Sequence, residues 1–591
     1  MTSLRFLAVF LLLLLVVPSA SAQDEQQSRA IKTGTISGRV VNEKGQPMPD
    51  AGVSIRAFGS TGIARSTTTA RSTTTDSDGG FQFSGMSPVV YLLTAGFPTY
   101  TMARRDPDST QVTSYRVGDN VTLVLIKGGV ITGRVSTASG EPVIGVPVRA
   151  QLIRDGKGQR SRYGATLQER TTDDRGIYRF YGLPTGSYLV LAGGGGNGNS
   201  GSAYLNDAPT YSPSSTRDTA AEIVVQAGEE TTNVDIRYRG DQGHTVSGIA
   251  SGLQGPEFMS YSVTLTSTLD AGSQWNETTY QSPGMPGFSF AGVADGDYDV
   301  TAQSYFPDGG RSISESKRIK VRSADVTGVE LATKPLASIS GRVMLEDSNA
   351  PECKGKRRAA VTETLVSAWH NDNEAAKAQP QFIWSLGGPA YPKDNGEVAL
   401  RNLAAGQYQI ITRLFAKYWY LRSISLPGPA GQQANRSTDV ASNWMTLRPA
   451  EQLTGLTVTL AEGAGSLQGQ VKLNEGETLP GRLYVYLVPM EREKEQDVLR
   501  FFASPVSAAK EIAVNHIPPG RYWILAQPAL DGAMPTLTKL RLPDEKETRA
   551  KLRHDAEQLK IEIEFKPCQN VTAYELPLRP SVNGEREVDR K

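Results

Sequence analysis

His554-Asp555-Ala556-Glu557 matches half of a zinc-hydrolase site. A zinc carboxypeptidase needs His-x-x-Glu and a distant third ligand, usually a histidine, because catalytic zinc takes three protein ligands and keeps one position open. No histidine follows this tetrad, and the upstream ones are His244, His370 and His516. It lies in a charged connector and reads as a chance match. Ser314-Glu315-Ser316-Lys317 and Ser507-Ala508-Ala509-Lys510 are Ser-x-x-Lys tetrads without companion motifs, and no Gly-x-Ser-x-Gly elbow occurs. Asp76-Ser77-Asp78-Gly79 opens like a calcium loop, but Met86-Ser87-Pro88 stands where the bidentate glutamate belongs. An Asp-Gly hairpin turn is the better reading. The glycine run 193–196 lacks the lysine and the following helix of a phosphate loop. The sequence therefore predicts no catalytic residues, no metal ligands and no cofactor.

Aromatic residues are the positive signal. In Phe415-Ala416-Lys417-Tyr418-Trp419-Tyr420, strand alternation puts Tyr418 and Tyr420 on one face and Trp419 with Phe415 on the other. A sheet solvated on one side cannot bury both faces, so one pair is a candidate surface for stacking on a sugar or anchoring a protein. The alternative is plain packing against the long insertion at 369–392, which includes Trp384. Tyr418, Trp419, Tyr420 and Trp384 are the candidate ligand residues. Tyr188, Tyr298, Tyr408 and Tyr522 differ from these, since each follows Gly-x at the mouth of a strand. They read as structural tyrosines whose hydroxyls bond to backbone.

The elements that position these residues recur along the chain. The phrase Ser37-Gly38-Arg39-Val40 returns as Thr132-Gly133-Arg134-Val135, Ser247-Gly248-Ile249-Ala250, Ser340-Gly341-Arg342-Val343 and Gln468-Gly469-Gln470-Val471. Each copy is followed at a distance by Gly-x-Tyr, degraded in the first to Val89-Val90-Tyr91. The interval of roughly 100 residues suits a β-sandwich per unit and is too long for a solenoid repeat. Within a unit the order is strand, Gly/Pro turn, strand, Asp-Gly hairpin and alternating closing strand, such as 120–125 in unit one and 559–565 in unit five. Helix is expected only at 549–558. The Gly/Ser-rich stretch 193–202 is expected to be a mobile loop and the first site of proteolysis.

The N-terminus carries an apolar run, 6–17, broken by Pro18 and followed by Ala20-Ser21-Ala22. This is the pattern of a secretory signal peptide cut after Ala22, too short to be a spanning helix. No second long apolar run follows, so export to the periplasm or the exterior without a membrane-spanning segment is expected. Lys and Arg total 62 against 61 Asp and Glu, which gives no general drive towards nucleic acid or anionic membrane. The chain holds two cysteines, so the cores rather than a disulfide framework must hold the units together. An oxidising compartment favours pairing of Cys353 with Cys568. Geometry opposes it: strands of about nine residues would hold the poles of stacked units about 30 Å apart, whereas a disulfide tolerates about 7 Å between Cα atoms. On that ground the two cysteines are expected to be unpaired.

The motifs resemble the carboxypeptidase regulatory-like domain, a transthyretin-like sandwich. The family phrase is Gly-x-Val, a Gly-x-Pro turn, Thr-Asp-x-x-Gly-x-Phe and Leu-x-x-Gly-x-Tyr. In unit one it is carried by Gly38 to Val40, Gly45 to Pro47, Thr75 to Phe81 and Tyr91, and unit two carries all of it, from Gly133 through Thr172 to Tyr188. Unit three lacks the Gly-x-Pro turn and unit five the Asp-Gly hairpin. The resemblance implies an accessory or binding module in a secreted bacterial protein and does not imply peptidase activity. Such sandwiches host adhesion, sugar binding and plain spacing alike.

The expected architecture is all-β: a signal peptide (1–22) and a linear array of about five immunoglobulin-like or transthyretin-like sandwiches. Their expected spans are 31–127, 128–240, 241–333, 334–462 (with the long insertion) and 463–580. The expected function is non-enzymatic binding of carbohydrate at the cell envelope or outside the cell. The alternative is a protein–protein adhesion or scaffold array with no sugar site, so the partner is a glycan or an envelope protein.

Overall fold

The computed structural model describes residues 33–57, 70–103, 114–156, 158, 167–194, 203–204, 206–251, 260–270, 276–281, 287–306, 309–371, 387–427, 437–473, 479, 483–494, 497–507, 509–528 and 546–578. Residues 1–22, where a signal peptide is expected, Trp384 and residues 195–202 of the glycine-rich stretch lie outside them.

The chain is built of strands arranged in successive sandwiches. In every unit the first strand pairs antiparallel with the hairpin strand and parallel with the closing strand. Unit one sets the pattern: Gly34–Asn42 lies between Gly80–Met86 and Asn120–Lys127. The same arrangement holds for Gly129–Ser136, His244–Ser251, Ala337–Glu346 and Gly465–Lys472. The second sheet is centred on a returning strand and the strand after Gly-x-Tyr, such as Pro147–Asp155 with Gly186–Ala192. Alternating apolar residues of the two sheets pack together inside each unit, as in Ile36, Val40, Phe83, Leu93 and Leu123 of unit one. In unit three, Arg311–Ser314 pairs with both Gly296–Tyr305 and Val326–Pro335, which joins its two sheets into one.

The recurring phrases have direct structural causes. A Cβ on Gly38, Gly133, Gly248, Gly341 or Gly469 would overlap the carbonyl oxygen of Val121, Val234, Val329, Leu456 or Tyr574, respectively. Each of these carbonyls belongs to the closing segment, so the glycine is what lets it approach. The Gly-x-Tyr tyrosines reach back four residues. Tyr188 Oη donates to Pro184 O at 2.7 Å, Tyr298 Oη to Ala294 O at 2.9 Å, Tyr408 Oη to Ala404 O at 2.9 Å and Tyr522 Oη to Pro518 O at 2.9 Å. Tyr91 does the same to Ser87 O at 3.0 Å, so the degraded copy keeps the function of its phrase. Asp76 closes its hairpin with its carboxylate, where Oδ1 accepts from the Asp78 and Gly80 amides at 3.0 and 2.7 Å.

Unit five departs from expectation. Glu562–Phe565 pairs with Gly520–Pro528 in the second sheet, and the closing strand is Asn570–Pro577, parallel to Gly465–Lys472. Its alternation is broken at Ala573, which has φ 56°, and this hides the strand in the sequence. The helix runs over Lys546–Leu559 and packs Leu552 and Ala556 against Tyr486, Phe501 and Leu525.

The cysteine expectation is overturned for the same reason. Cys353 and Cys568 form a disulfide with Cα atoms 5.3 Å apart. Cys568 lies in the turn that precedes the closing strand, and a strand parallel to the first strand starts at the same pole. That pole abuts unit four, where Cys353 ends the 3-10 turn Pro351–Cys353. The bond therefore crosses a junction and does not span a domain.

The array is sequential along the chain but returns on itself in space. Arg357 Nη1 of unit four donates to Val117 O of unit one at 2.7 Å, and Thr362 Oγ1 donates to Pro88 O at 2.7 Å. Glu363, only 1% exposed, pairs with Arg357 and lies 3.8 Å from Arg116 Nη1 of unit one.

Candidate functional site

The run 415–420 turns sharply where a straight strand was expected. The strand Gly406–Leu414 ends, and the next strand, Trp419–Pro427, starts only after Tyr418. Tyr418 has φ 67°, the left-handed region that a bulky residue rarely occupies. Its carbonyl accepts the amides of Gly463 and Ala464 at 2.7 and 2.8 Å, which holds the conformation in place. Simple alternation therefore fails at this point, and Tyr418 does not share a strand face with Tyr420.

Trp419 is fully buried in the core of unit four beside Leu421, Val458 and Leu460. No ligand can stack on its ring in this arrangement. Tyr420 is half-buried, and burial raises its hydroxyl pKa. Phe415 and Tyr418 remain, and both line a cleft of about 300 Å³ at the junction of units four and five. Its far wall comes from unit five: Ser466, Gln468, Asn515, His516, Asn570 and Thr572. Of the three candidate residues that are described, Tyr418 alone lines this space.

The cleft is organised from both sides. Asn570 Nδ2 donates to Tyr418 Oη at 3.0 Å, and the Lys356 ammonium sits 5.1 Å from the Tyr418 ring centroid. Arg413 lies 5.0 Å from the centroid of Phe415. Lys356 follows Cys353 by three residues and Asn570 follows Cys568 by two, so the disulfide ties together the two segments that hold Tyr418. The His516 ring nitrogen Nδ1 is 2.9 Å from Trp419 O, and burial pushes the imidazole pKa below its ordinary value. A neutral ring must then carry its proton on Nδ1 to donate to that carbonyl, which leaves Nε2 as an acceptor.

The tetrads weighed for catalysis have structural roles here. His554 Nε2 and Gln558 Nε2 lie 2.8 Å apart on the helix, and among the described residues no three His, Cys, Asp or Glu side chains are grouped to hold a metal. Ser314 Oγ accepts the Ala302 amide at 2.9 Å, and Ser507 Oγ accepts the Glu511 amide at 3.0 Å. Among the described residues no helix is long and apolar enough to cross a membrane. The cleft residues Asn515 and Asn570 carried no local sequence signal, and Lys356 stood in the basic cluster 354–358, which reads from sequence as a solvated loop. Pairing of the two cysteines was the clue that would have joined two of these segments.

Known proteins place part of this arrangement. Residues 35–124 match the carboxypeptidase regulatory-like domain. That match covers unit one, whose hairpin and closing strands are those described above, and the same order of strand pairing recurs in the later units. No curated protein matches the chain. Among solved structures, the shaft pilin SpaA from Lactobacillus rhamnosus GG aligns at 12% identity over 35% of this chain and 99% of its own, with a TM-score of 0.16. The minor pilin GBS52 of Streptococcus agalactiae aligns at 14% over 35% and 97%, with a TM-score of 0.18. The Bacillus anthracis TIE protein aligns at 10% over 70% and 68%, with a TM-score of 0.14. Likeness at this level carries no functional information.

Proposed function

We propose that this chain is an exported, non-catalytic binding protein that takes a carbohydrate in the cleft between units four and five. The observation that carries the reading is Tyr418, held at the cleft in a fixed left-handed conformation, facing the carboxamides of Asn515 and Asn570. Flat rings meet the apolar face of a pyranose, and amides donate to and accept from its hydroxyls. The units, bounded near residues 128, 241, 334 and 463, act as the frame. Screening the mature protein on a glycan array is the direct test. Retention that is lost in Tyr418→Ala supports the site, and absence of any retained glycan removes it.

A second reading has its own support. The ion pair and hydrogen bonds between units one and four, with the disulfide between four and five, give a braced body suited to a protein–protein scaffold. A defined envelope protein bound with unchanged affinity by Tyr418→Ala would favour that reading.

A further inference from the structure

We infer that the cleft between units four and five selects an acidic sugar, a uronate, over its neutral counterpart. The inference rests on the carbohydrate reading above and concerns charge. The residues lining the cleft include no aspartate or glutamate. Lys417 is exposed at its rim and makes no ion pair among the described residues. Lys356 and Arg413 each place a cation against a ring of the cleft, at 5.1 and 5.0 Å from the Tyr418 and Phe415 centroids. These three side chains come from unit four.

The polar groups opposite them are uncharged. Asn515 offers its carboxamide to sugar hydroxyls, Ser466 Oγ donates to Asn570 Oδ1 at 2.8 Å and keeps its oxygen as an acceptor, and burial lowers the pKa of the His516 imidazole. The adjoining groove, which shares Gln468, is lined by Glu511 and by Glu575, whose carboxylate is paired with Lys472 at 3.0 Å. A ligand bearing a carboxylate is therefore attracted to the Tyr418 side and repelled from the far side of Gln468. The attraction between exposed charges is modest and is weakened by salt. A uronate ring combines the two demands, a flat apolar face for Tyr418 and a carboxylate for Lys417.

The test is calorimetric titration of the mature protein with short galacturonate, glucuronate and mannuronate oligosaccharides and with their methyl esters, which keep the ring and remove the charge. At least one acid should bind about tenfold more tightly than its ester. That difference should vanish in Lys417→Gln, whose thermal melt is unchanged, and shrink in ~0.5 M salt, which screens exposed charges. Equal binding of acid and ester overturns the inference and leaves the carbohydrate reading standing. Preference for the acid that survives in Lys417→Gln also overturns it, because the charge would then be read elsewhere. Binding of neither form overturns the inference, while the glycan array alone decides the carbohydrate reading. A peptide C-terminal carboxylate that binds more tightly than every uronate replaces the sugar as ligand and overturns the inference.

Discussion

Cys353 and Cys568, 215 residues apart in sequence, are bonded across the junction of units four and five. The bond closes the two segments that grip Tyr418, so it bears on the site as well as on stability. The native protein is expected to take up no thiol-alkylating label until it is reduced, and label at both cysteines afterwards. Mass spectrometry of the intact chain checks this. Replacing both cysteines by serine should lower the stability of the joined units by about 2–4 kcal/mol. Ligand retention at the cleft should fall with it, because Lys356 and Asn570 lose their common anchor.

Tyr522 represents the repeated tyrosines. Its ring is fully buried in unit five, its hydroxyl donates to Pro518 O at 2.9 Å, and Arg500 lies 5.1 Å from its ring centroid. Tyr522→Phe keeps the packing and removes the bond, leaving the Pro518 carbonyl without its donor. The expected loss is about 1 kcal/mol, measured by urea unfolding, with no effect on the other units. No change in unfolding midpoint would mean that the recurring hydroxyl is dispensable.

The tyrosines and phrase glycines were readable because their partners are set by local spacing and by a strand order that recurs. A four-residue reach-back and a close approach to the closing segment repeat in each unit. The run at Tyr418 was misread because its conformation is held by the Gly463 and Ala464 amides from the far side of the unit. Local alternation carries no trace of that contact. The closing strand of unit five was missed because Ala573 interrupts its period, and with it went the position of Cys568. The cleft lies between two units, so no stretch of sequence contains it.

Trp419 and Tyr418 are adjacent, yet their substitutions should separate cleanly. Trp419 is fully buried, so Trp419→Ala opens a cavity in the core of unit four and should cost about 3–5 kcal/mol. Tyr418→Ala removes a half-buried ring from the cleft and should leave the melt of the core little changed while reducing glycan retention. Thermal unfolding followed alongside binding distinguishes the two. A Trp419→Ala protein that melts like wild type but loses its ligand would show the indole in the site, contrary to the packing described.

Glu363 gives the contact between units one and four a pH dependence of definite sign. Burial is the largest cause of its shift and raises its pKa, opposed by Arg357, Arg116 and the Ala360 amide. The same burial lowers the pKa of Arg116. Both charged forms are thus held against their desolvation, as expected where a buried ion pair is only partly compensated. Because the folded carboxyl holds its proton more tightly than the unfolded one, its contribution is full below the ordinary value of 4.5. It is lost as pH rises through the raised value. Glu363→Gln cannot titrate, so its stability relative to wild type should improve as pH rises from that ordinary value towards neutrality. Arg357→Ala, which leaves the buried carboxylate short of a partner, should instead destabilise at neutral pH by about 1–3 kcal/mol. Thermal melts of the three proteins across this range decide the matter. A wild-type minus Glu363→Gln difference that grows in favour of wild type with rising pH would mean that the arginines, not burial, govern this carboxyl.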